Sequence, residues 1–144
     1  MSHHLPPLQG TDLAGNPVAF PKDLPAVPTV LLFGFQHDSR ADVKAWKRAL
    51  DGAGVPWMSL PTSPENVLAE EVGDVAEAMK SQAPEAAWAR TVLVQTGGPD
   101  LLKAFGWQPD LCAKVVLVLE DGSVLFAHSG PFSDEAVTAL LDAI

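Results

Sequence analysis

The sequence predicts an α/β sandwich, in which a mixed central sheet carries helices on both faces. A chain of 144 residues, 47% of them hydrophobic, is long enough to form one domain around a single core. Apolar strand-like runs alternate with amphipathic helical segments, and helical crossovers make the early strands parallel. An Asp-Gly turn near the C-terminus predicts a closing antiparallel hairpin, which makes the sheet mixed.

We expect residues 1–144 to form a single domain. Its N-terminal region is predicted to be extended. Residues 1–10 are rich in His and Pro, and we expect them to form a flexible arm. Thr11–Phe20 predicts a short hairpin, because Ala14-Gly15-Asn16 has the composition of a turn.

A βαβ unit follows. Thr29–Phe35 is continuously apolar, as is typical of a strand that is covered on both faces. A helix is predicted over Arg40–Ala53, because its apolar residues recur at spacings of 3, 4 and 3, and Val55–Leu60 predicts the second strand. The residues expected on the buried helix face are Val43, Trp46, Leu50 and Ala53.

The middle of the chain predicts further helices around one strand. A helix begins near Ser63, and Ala83–Ala89 predicts a short helical turn. Thr91–Gln95 predicts the strand. A brief helix then opens at Gly97-Gly98-Pro99 and ends at Gly106.

The C-terminal region predicts a hairpin and a last helix. Val115–Leu119 and Ser123–Ala127 are strand-like runs around Asp121-Gly122, and Ser133 is a typical helix N-cap. The face of this helix predicted to be buried comprises Val137, Leu140, Leu141 and Ile144.

The composition excludes several classes of function. Nine basic and 18 acidic side chains give a net charge of −9, which argues against nucleic acid as a partner. The longest apolar run, Val30–Phe35, is far below the ~20 residues of a membrane span, and no export signal opens the chain, so we expect a cytoplasmic protein without membrane insertion. The single cysteine, Cys112, excludes an internal disulfide, a multi-cysteine zinc site and a two-cysteine redox cycle.

Three stretches resemble the thioredoxin-like fold, and most closely its peroxiredoxin-type branch. Thr29–Phe35 with the following helix is similar to that family's strand and active-site helix. The run from Pro99 to Trp107 is similar to its short helix before a Phe-Gly turn, and Val115–Gly130 to its closing hairpin. The resemblance covers most of Thr11–Ile144 and implies a thioredoxin-like three-layer sandwich.

The chain departs from that family where its chemistry occurs. The family's thiolate lies at the start of the first helix, where the helix dipole lowers the cysteine pKa. Here the corresponding turn runs from Gln36 to Asp42 and holds neither a C-x-x-C pair nor a peroxidatic loop. The position of the family's cis-proline falls near Ala113, and Lys114 is the cation nearest to the place of its conserved arginine.

A second resemblance is to the family of mitochondrial ATP-synthase assembly factors, which is also thioredoxin-like and does not require both cysteines. Val115–Glu135, with its Asp-Gly turn and capped helix, is similar to that family's C-terminal stretch, as is the helical segment between Ser63 and Ala89. This resemblance implies a role in assembly with a protein partner.

Two groups of residues are candidates for the site. The first lies at the start of the predicted helix over Arg40–Ala53, where a helix N-terminus can bind an anion, or His and Asp can contribute to a metal or acid-base site. Capping and solvated loop residues explain the same residue types more simply, and no third metal ligand is evident. The residues of this group are His37, Asp38, Ser39 and Arg40.

The second group is Cys112 with Lys114. In the thioredoxin-like arrangement Cys112 would lie beside that helix start, either as a single reactive thiol or as a half-buried apolar residue. His3, His4 and His128 are poor metal candidates, so we expect no metal and no cofactor.

The sequence therefore favours a thioredoxin-like binding or assembly module that lacks the redox cysteines and recognises a protein partner. The alternative is a single-cysteine thiol enzyme or peroxide sensor that uses Cys112. A homodimer through an edge strand remains open, because such domains often dimerise.

Overall fold

The computed structural model describes most of the chain. Its described residues are 3–20, 22–23, 28–34, 40–62, 77–81, 88, 90–107, 113–119, 121–130 and 132–144, with residues 3 and 40 described by their backbone alone.

Eight strands and three helices are bounded within these residues. The strands are β1 (His3–His4), β2 (Leu8–Asp12), β3 (Pro17–Phe20), β4 (Thr29–Gly34), β5 (Trp57–Pro61), β6 (Val92–Thr96), β7 (Lys114–Val118) and β8 (Ser123–Ser129). The helices are α1 (Arg40–Ala53), α2 (Gly98–Phe105) and α3 (Asp134–Asp142). None of the helices in these ranges is long and apolar enough to cross a membrane.

The strands form a mixed α/β arrangement, as predicted. A five-stranded sheet has the order β1-β8-β7-β4-β5, and a three-stranded sheet has the order β3-β2-β6. Strands β4 and β5 are parallel, because α1 crosses between them, whereas β7 is antiparallel to both β4 and β8. Two parallel bridges, Ser59 to Thr91 and Thr62 to Val94, bring β5 beside β6 and so join the two sheets.

The core lies on both faces of the central strands β4 and β7, because successive side chains of a strand point to opposite faces. Leu31, Phe33 and Val116 pack into one apolar cluster, together with Leu101 of α2. Leu32, Val115 and Leu117 pack into the other, together with residues of α1 and α3. Helices on both faces of the sheet explain why β4 carries no polar alternation.

Local sequence signals are confirmed at several element ends. Helix α1 has the predicted bounds, but Ala53, which was expected on its buried face, is exposed at its end. Gly106 ends α2 in the left-handed region at φ 66°, and the Ser133 hydroxyl accepts a hydrogen bond from the Ala136 N–H at 3.1 Å. Of the helical segments predicted from Ser63 and over Ala83–Ala89, only residues 77–81 and 88 are described, and residues 77–80 are helical.

The structure differs from the predictions at both ends of the chain. In place of a flexible arm, residues 3–10 contribute β1 and the start of β2, and Leu5 and Leu8 are buried because they pack into the apolar cluster that contains Phe33. In α3 the buried residues are Ala136 and Leu140, four positions apart on one face. Leu141 and Ile144 were expected in the core and are instead exposed, because Leu141 lies one position round the helix and Ile144 follows its end.

Candidate functional site

The predicted site residues fall unevenly on the described part of the chain. His37, Asp38, Ser39 and Cys112 lie outside the described residues. Arg40 is the first residue of α1, and only its backbone is described. Lys114 is the first residue of β7. The geometry of the site is therefore argued from the residues that surround the start of α1.

Asp42 joins three segments at the start of α1. Its Oδ2 accepts a hydrogen bond from the Ala113 N–H at 2.8 Å, and its Oδ1 accepts one from the Phe132 N–H at 2.7 Å. These donors lie 71 and 90 residues further along the chain. We call this arrangement the Asp42 clamp. A carboxylate in the first turn is also stabilised by the positive end of the helix dipole.

Lys114 follows Ala113 of the clamp in sequence, but its side chain is buried on the face of the sheet opposite to α1, because the flanking Ala113 and Val115 pack on the α1 face. It pairs with Phe33 of β4 and with Ser129 of β8, and its side chain has no exposed surface. The Nζ donates a hydrogen bond to the Ser129 hydroxyl oxygen at 2.9 Å. The cation that the sequence identified is therefore buried, in register with Phe33 near the carboxyl end of β4.

Aromatic side chains pack behind the clamp. The Trp46 ring lies edge-on to Phe132, with 5.3 Å between the centroids, and 5.8 Å from the His128 imidazole. His128 is half-buried against Trp46 and Phe126. The buried Trp46 Nε1 has no acceptor among the described residues. The Phe132 side chain therefore packs on Trp46, while the Phe132 N–H donates to Asp42.

The described residues limit the chemistry of this region. They contain no group of three or more His, Cys, Asp or Glu side chains that could hold a metal ion. The chain's single cysteine, Cys112, directly precedes Ala113, whose N–H belongs to the clamp. The clamp can hold two loops against a helix start, and both of its carboxylate oxygens already accept hydrogen bonds.

A cavity of about 300 Å³ lies elsewhere, between β2, β6 and the start of α2. Its lining includes Gln9, Thr96, Gly97 and Asp100, and none of the clamp residues. Asp100 places negative charge at the N-terminal end of α2, which opposes anion binding there.

The role of Asp42 in the clamp is not evident from the sequence. Ser39 and Asp42 form an S-x-x-D pattern, which signals a helix N-terminus, but such a pattern fits a local cap equally well. Nothing in the sequence around Ala113 or Phe132 marks a backbone donor, because every residue other than proline carries one.

Comparisons with known proteins decide the fold. No protein-family model matches the chain, and no curated protein matches it. Among solved structures, the Sco-family cytochrome c oxidase assembly protein BsSco is 14% identical, with a TM-score of 0.66 over 99% of this chain and 94% of that one. The thio-disulfide isomerase of Thermus thermophilus is 24% identical, with a TM-score of 0.58 over 99% and 95% of the two chains. The chain has the thioredoxin-like fold.

A third thioredoxin-like structure is the thiol peroxidase of Chromobacterium violaceum. It is 15% identical to this chain, with a TM-score of 0.63 over 96% of this chain and 84% of that one. These structures confirm the predicted architecture. At such identities they show the fold alone, because one scaffold of this kind carries many different functions.

Proposed function

We propose that this thioredoxin-like chain is a binding or assembly module that lacks the paired redox cysteines and recognises a protein partner. The Asp42 clamp is the observation that carries the proposal. At the helix start where this fold can carry a reactive thiolate, a carboxylate instead fastens the Ala113 and Phe132 backbones.

The partner surface in this proposal is formed by the residues around the clamp. The clamp holds the segments at Ala113 and Phe132 against the first turn of α1, which favours a pre-formed surface and lowers the entropy cost of binding. The residues assigned to it are His37, Asp38, Ser39, Arg40, Cys112 and Lys114, of which Lys114 is buried in the described structure.

The number of cysteines in the chain also favours a binding protein over a thiol enzyme. A thiol-disulfide cycle within one chain needs two cysteines, and this sequence has one. The proposal includes the finer likenesses: a redoxin-type branch without the active-site cysteines and, more distantly, the ATP-synthase assembly factors. It also places the protein in the cytoplasm.

A second candidate is a single-cysteine thiol enzyme or peroxide sensor. One contact favours it. The Ala113 N–H donates a hydrogen bond to Asp42 in the first turn of α1, and Cys112 is the residue directly before Ala113. A thiol close to a helix N-terminus has a lowered pKa and a larger thiolate fraction.

Activity assays separate the two candidates. The binding module should reduce insulin disulfides and consume peroxide no faster than a no-protein control, and Cys112→Ser should change neither rate. Turnover that Cys112→Ser abolishes would establish the thiol enzyme instead. Alkylation of Cys112 in the native protein should then titrate well below the reference midpoint of ~8.5.

Site-specific crosslinking tests the partner surface directly. A photo-crosslinking amino acid replaces Ala41, an exposed residue next to Asp42, and in a control it replaces Ala104, an exposed residue of α2. We expect one identifiable protein to crosslink from position 41 and not from position 104. Equal products from both positions, or none from either, would count against the proposed surface.

A further inference from the structure

Positive charge is concentrated on one helix of an acidic chain. The sequence has nine basic residues and a net charge of −9, yet four of the nine lie in α1. A fifth, Arg90, packs against Trp57, which follows that helix. The α1 residues are Arg40, Lys44, Lys47 and Arg48.

Three of these cations share one face of α1. Lys44, Lys47 and Arg48 are spaced by three and four residues, so their side chains project from the same side of the helix. Lys44 and Arg48 are exposed and Lys47 is half-buried. The core side of the helix is formed by Val43, Trp46 and Leu50.

Trp57 fixes two cations at the edge of this face. The Arg90 guanidinium carbon lies 3.7 Å from the Trp57 ring centroid, and the Lys47 Nζ lies 5.1 Å from the same centroid. The Arg90 Nε also donates to the Trp57 carbonyl oxygen at 3.3 Å. Stacking on an aromatic ring holds Arg90 in place while leaving part of its side chain, 41%, exposed. We call Lys44, Lys47, Arg48 and Arg90, arranged around Trp57, the basic face.

The positive charge of the basic face is not balanced by its acidic neighbour. In the described part of the chain, one ion pair occurs here, between the Arg90 Nη2 and the Asp51 Oδ1 at 3.8 Å. The same Asp51 oxygen accepts a hydrogen bond from the Trp57 Nε1 at 2.8 Å. Burial, and then repulsion from Lys44 and Arg90, lower the pKa of Lys47. Lys44 and Arg90 are therefore close enough to disfavour the charged form of Lys47, and Asp51 offsets only part of this effect.

We propose that the basic face of α1 docks an acidic segment of a partner protein. The inference rests on the proposed binding function and names the chemistry of the partner. Carboxylates match the fork of donors on Arg48 and Arg90, and they would relieve the repulsion around Lys47. Arginine is also among the residues most enriched in the energetic centres of protein interfaces, and Trp57, itself buried, holds Arg90 in place from beneath.

A short acidic protein segment fits this surface better than a polynucleotide does. The basic face is local, whereas the whole chain carries a charge of −9 and repels an extended polyanion. A peptide with a few carboxylates contacts only the cations around Trp57. Its affinity should fall as salt rises, because exposed charges are screened.

Fluorescence anisotropy with a labelled oligo-glutamate peptide, in low-salt buffer, tests the proposal. We expect saturable binding to the full chain, and Lys44→Glu with Arg48→Glu should weaken it at least about tenfold. The matched control is Lys22→Glu with Lys103→Glu, which makes the same change in net charge at exposed positions outside the basic face. This control should change the affinity less than about threefold.

Other outcomes would overturn the proposal. Equal weakening by the two charge-reversal pairs would mean that only net charge matters. A single-stranded oligonucleotide that binds more tightly than oligo-glutamate would assign the face to nucleic acid. Self-association abolished by Lys44→Glu with Arg48→Glu would assign it to a second copy of the chain.

Failure of this inference can be told apart from failure of the proposed function. If the crosslinked partner of position 41 is still captured by a chain with Lys44→Glu and Arg48→Glu, the binding module stands and the basic face is not its docking surface. Insulin or peroxide turnover that depends on Cys112 would remove the proposed function without changing the peptide result.

Discussion

The Asp42 clamp and the basic face lie on the same helix and use charge in opposite ways. In the clamp, one carboxylate accepts hydrogen bonds from two backbone N–H groups, so its charge is satisfied within the chain. On the basic face, the described ion pairing is one contact between Arg90 and Asp51, and both Lys44 and Arg90 repel the charged form of Lys47. The first arrangement stabilises the fold, whereas the second leaves charge available for a partner.

Removing the clamp carboxylate should give the largest effect. Asp42→Ala leaves two backbone donors without their acceptor and releases two distant segments from α1. Hydrogen bonds to a charged group contribute about 1.5 to 3 kcal/mol each, so we expect the free energy of unfolding to fall by about 3 kcal/mol. Urea denaturation followed by tryptophan fluorescence measures this change.

Asp42→Asn sharpens the same experiment. The amide keeps one accepting oxygen and turns an NH₂ group toward the other donor, so it should restore no more than half of the lost stability. If Asp42→Ala unfolds at the same urea concentration as the unmodified chain, then the two hydrogen bonds do not hold the site together.

Neutralising Asp51, the carboxylate next to the basic face, should leave stability nearly unchanged and strengthen peptide binding. Asp51→Asn keeps an oxygen that can accept from the Trp57 Nε1, and the side chain it replaces is 61% exposed. Exposed ion pairs contribute about 0 to 1 kcal/mol, so stability should change by less than 1 kcal/mol. The affinity for oligo-glutamate should rise about threefold, because the basic face loses its one described counter-charge.

The pair Asp42→Asn and Asp51→Asn therefore forms a matched comparison within one helix. Both variants remove one negative charge from α1. Only the first should lower stability appreciably, and only the second should strengthen peptide binding. Similar stability losses in both variants would mean that the two carboxylates contribute equally to the stability of the fold. The distinction between the two regions would then be wrong.

The sequence predicted the parts of the fold that local patterns determine. Helix α1 has the predicted bounds because its apolar spacing and flanking residues specify them, and β4 is buried on both faces, as its continuous apolar run indicates. The last helix shows the limit of this reasoning. This helix has more apolar residues than its narrow buried face has positions, so spacing alone did not exclude Leu141 and Ile144 from the core.

The two charged regions were harder to predict, because tertiary structure assembles them. The partners of Asp42 are backbone groups 71 and 90 residues away, which no local motif identifies. The spacing of Lys44, Lys47 and Arg48 was a readable signal of a basic helix face. Arg90 joins them only because the fold brings it onto the Trp57 ring.

The smallest expected effect is the pH dependence of stability that Lys47 causes. Because burial and the neighbouring cations lower its pKa in the folded protein, the unfolded chain holds more protons between that lowered pKa and 10.5. Stability contributed by this site should therefore rise as pH increases through that interval.

Lys47→Met removes the rise, and Lys44→Met should reduce it by removing a cation that lowers the pKa. Urea midpoints measured for the three proteins from neutral pH to 10.5 give the comparison. Parallel curves for the unmodified chain and Lys47→Met would mean that the neighbouring cations do not lower the pKa of Lys47. The distinction between the two regions would then lose its electrostatic basis.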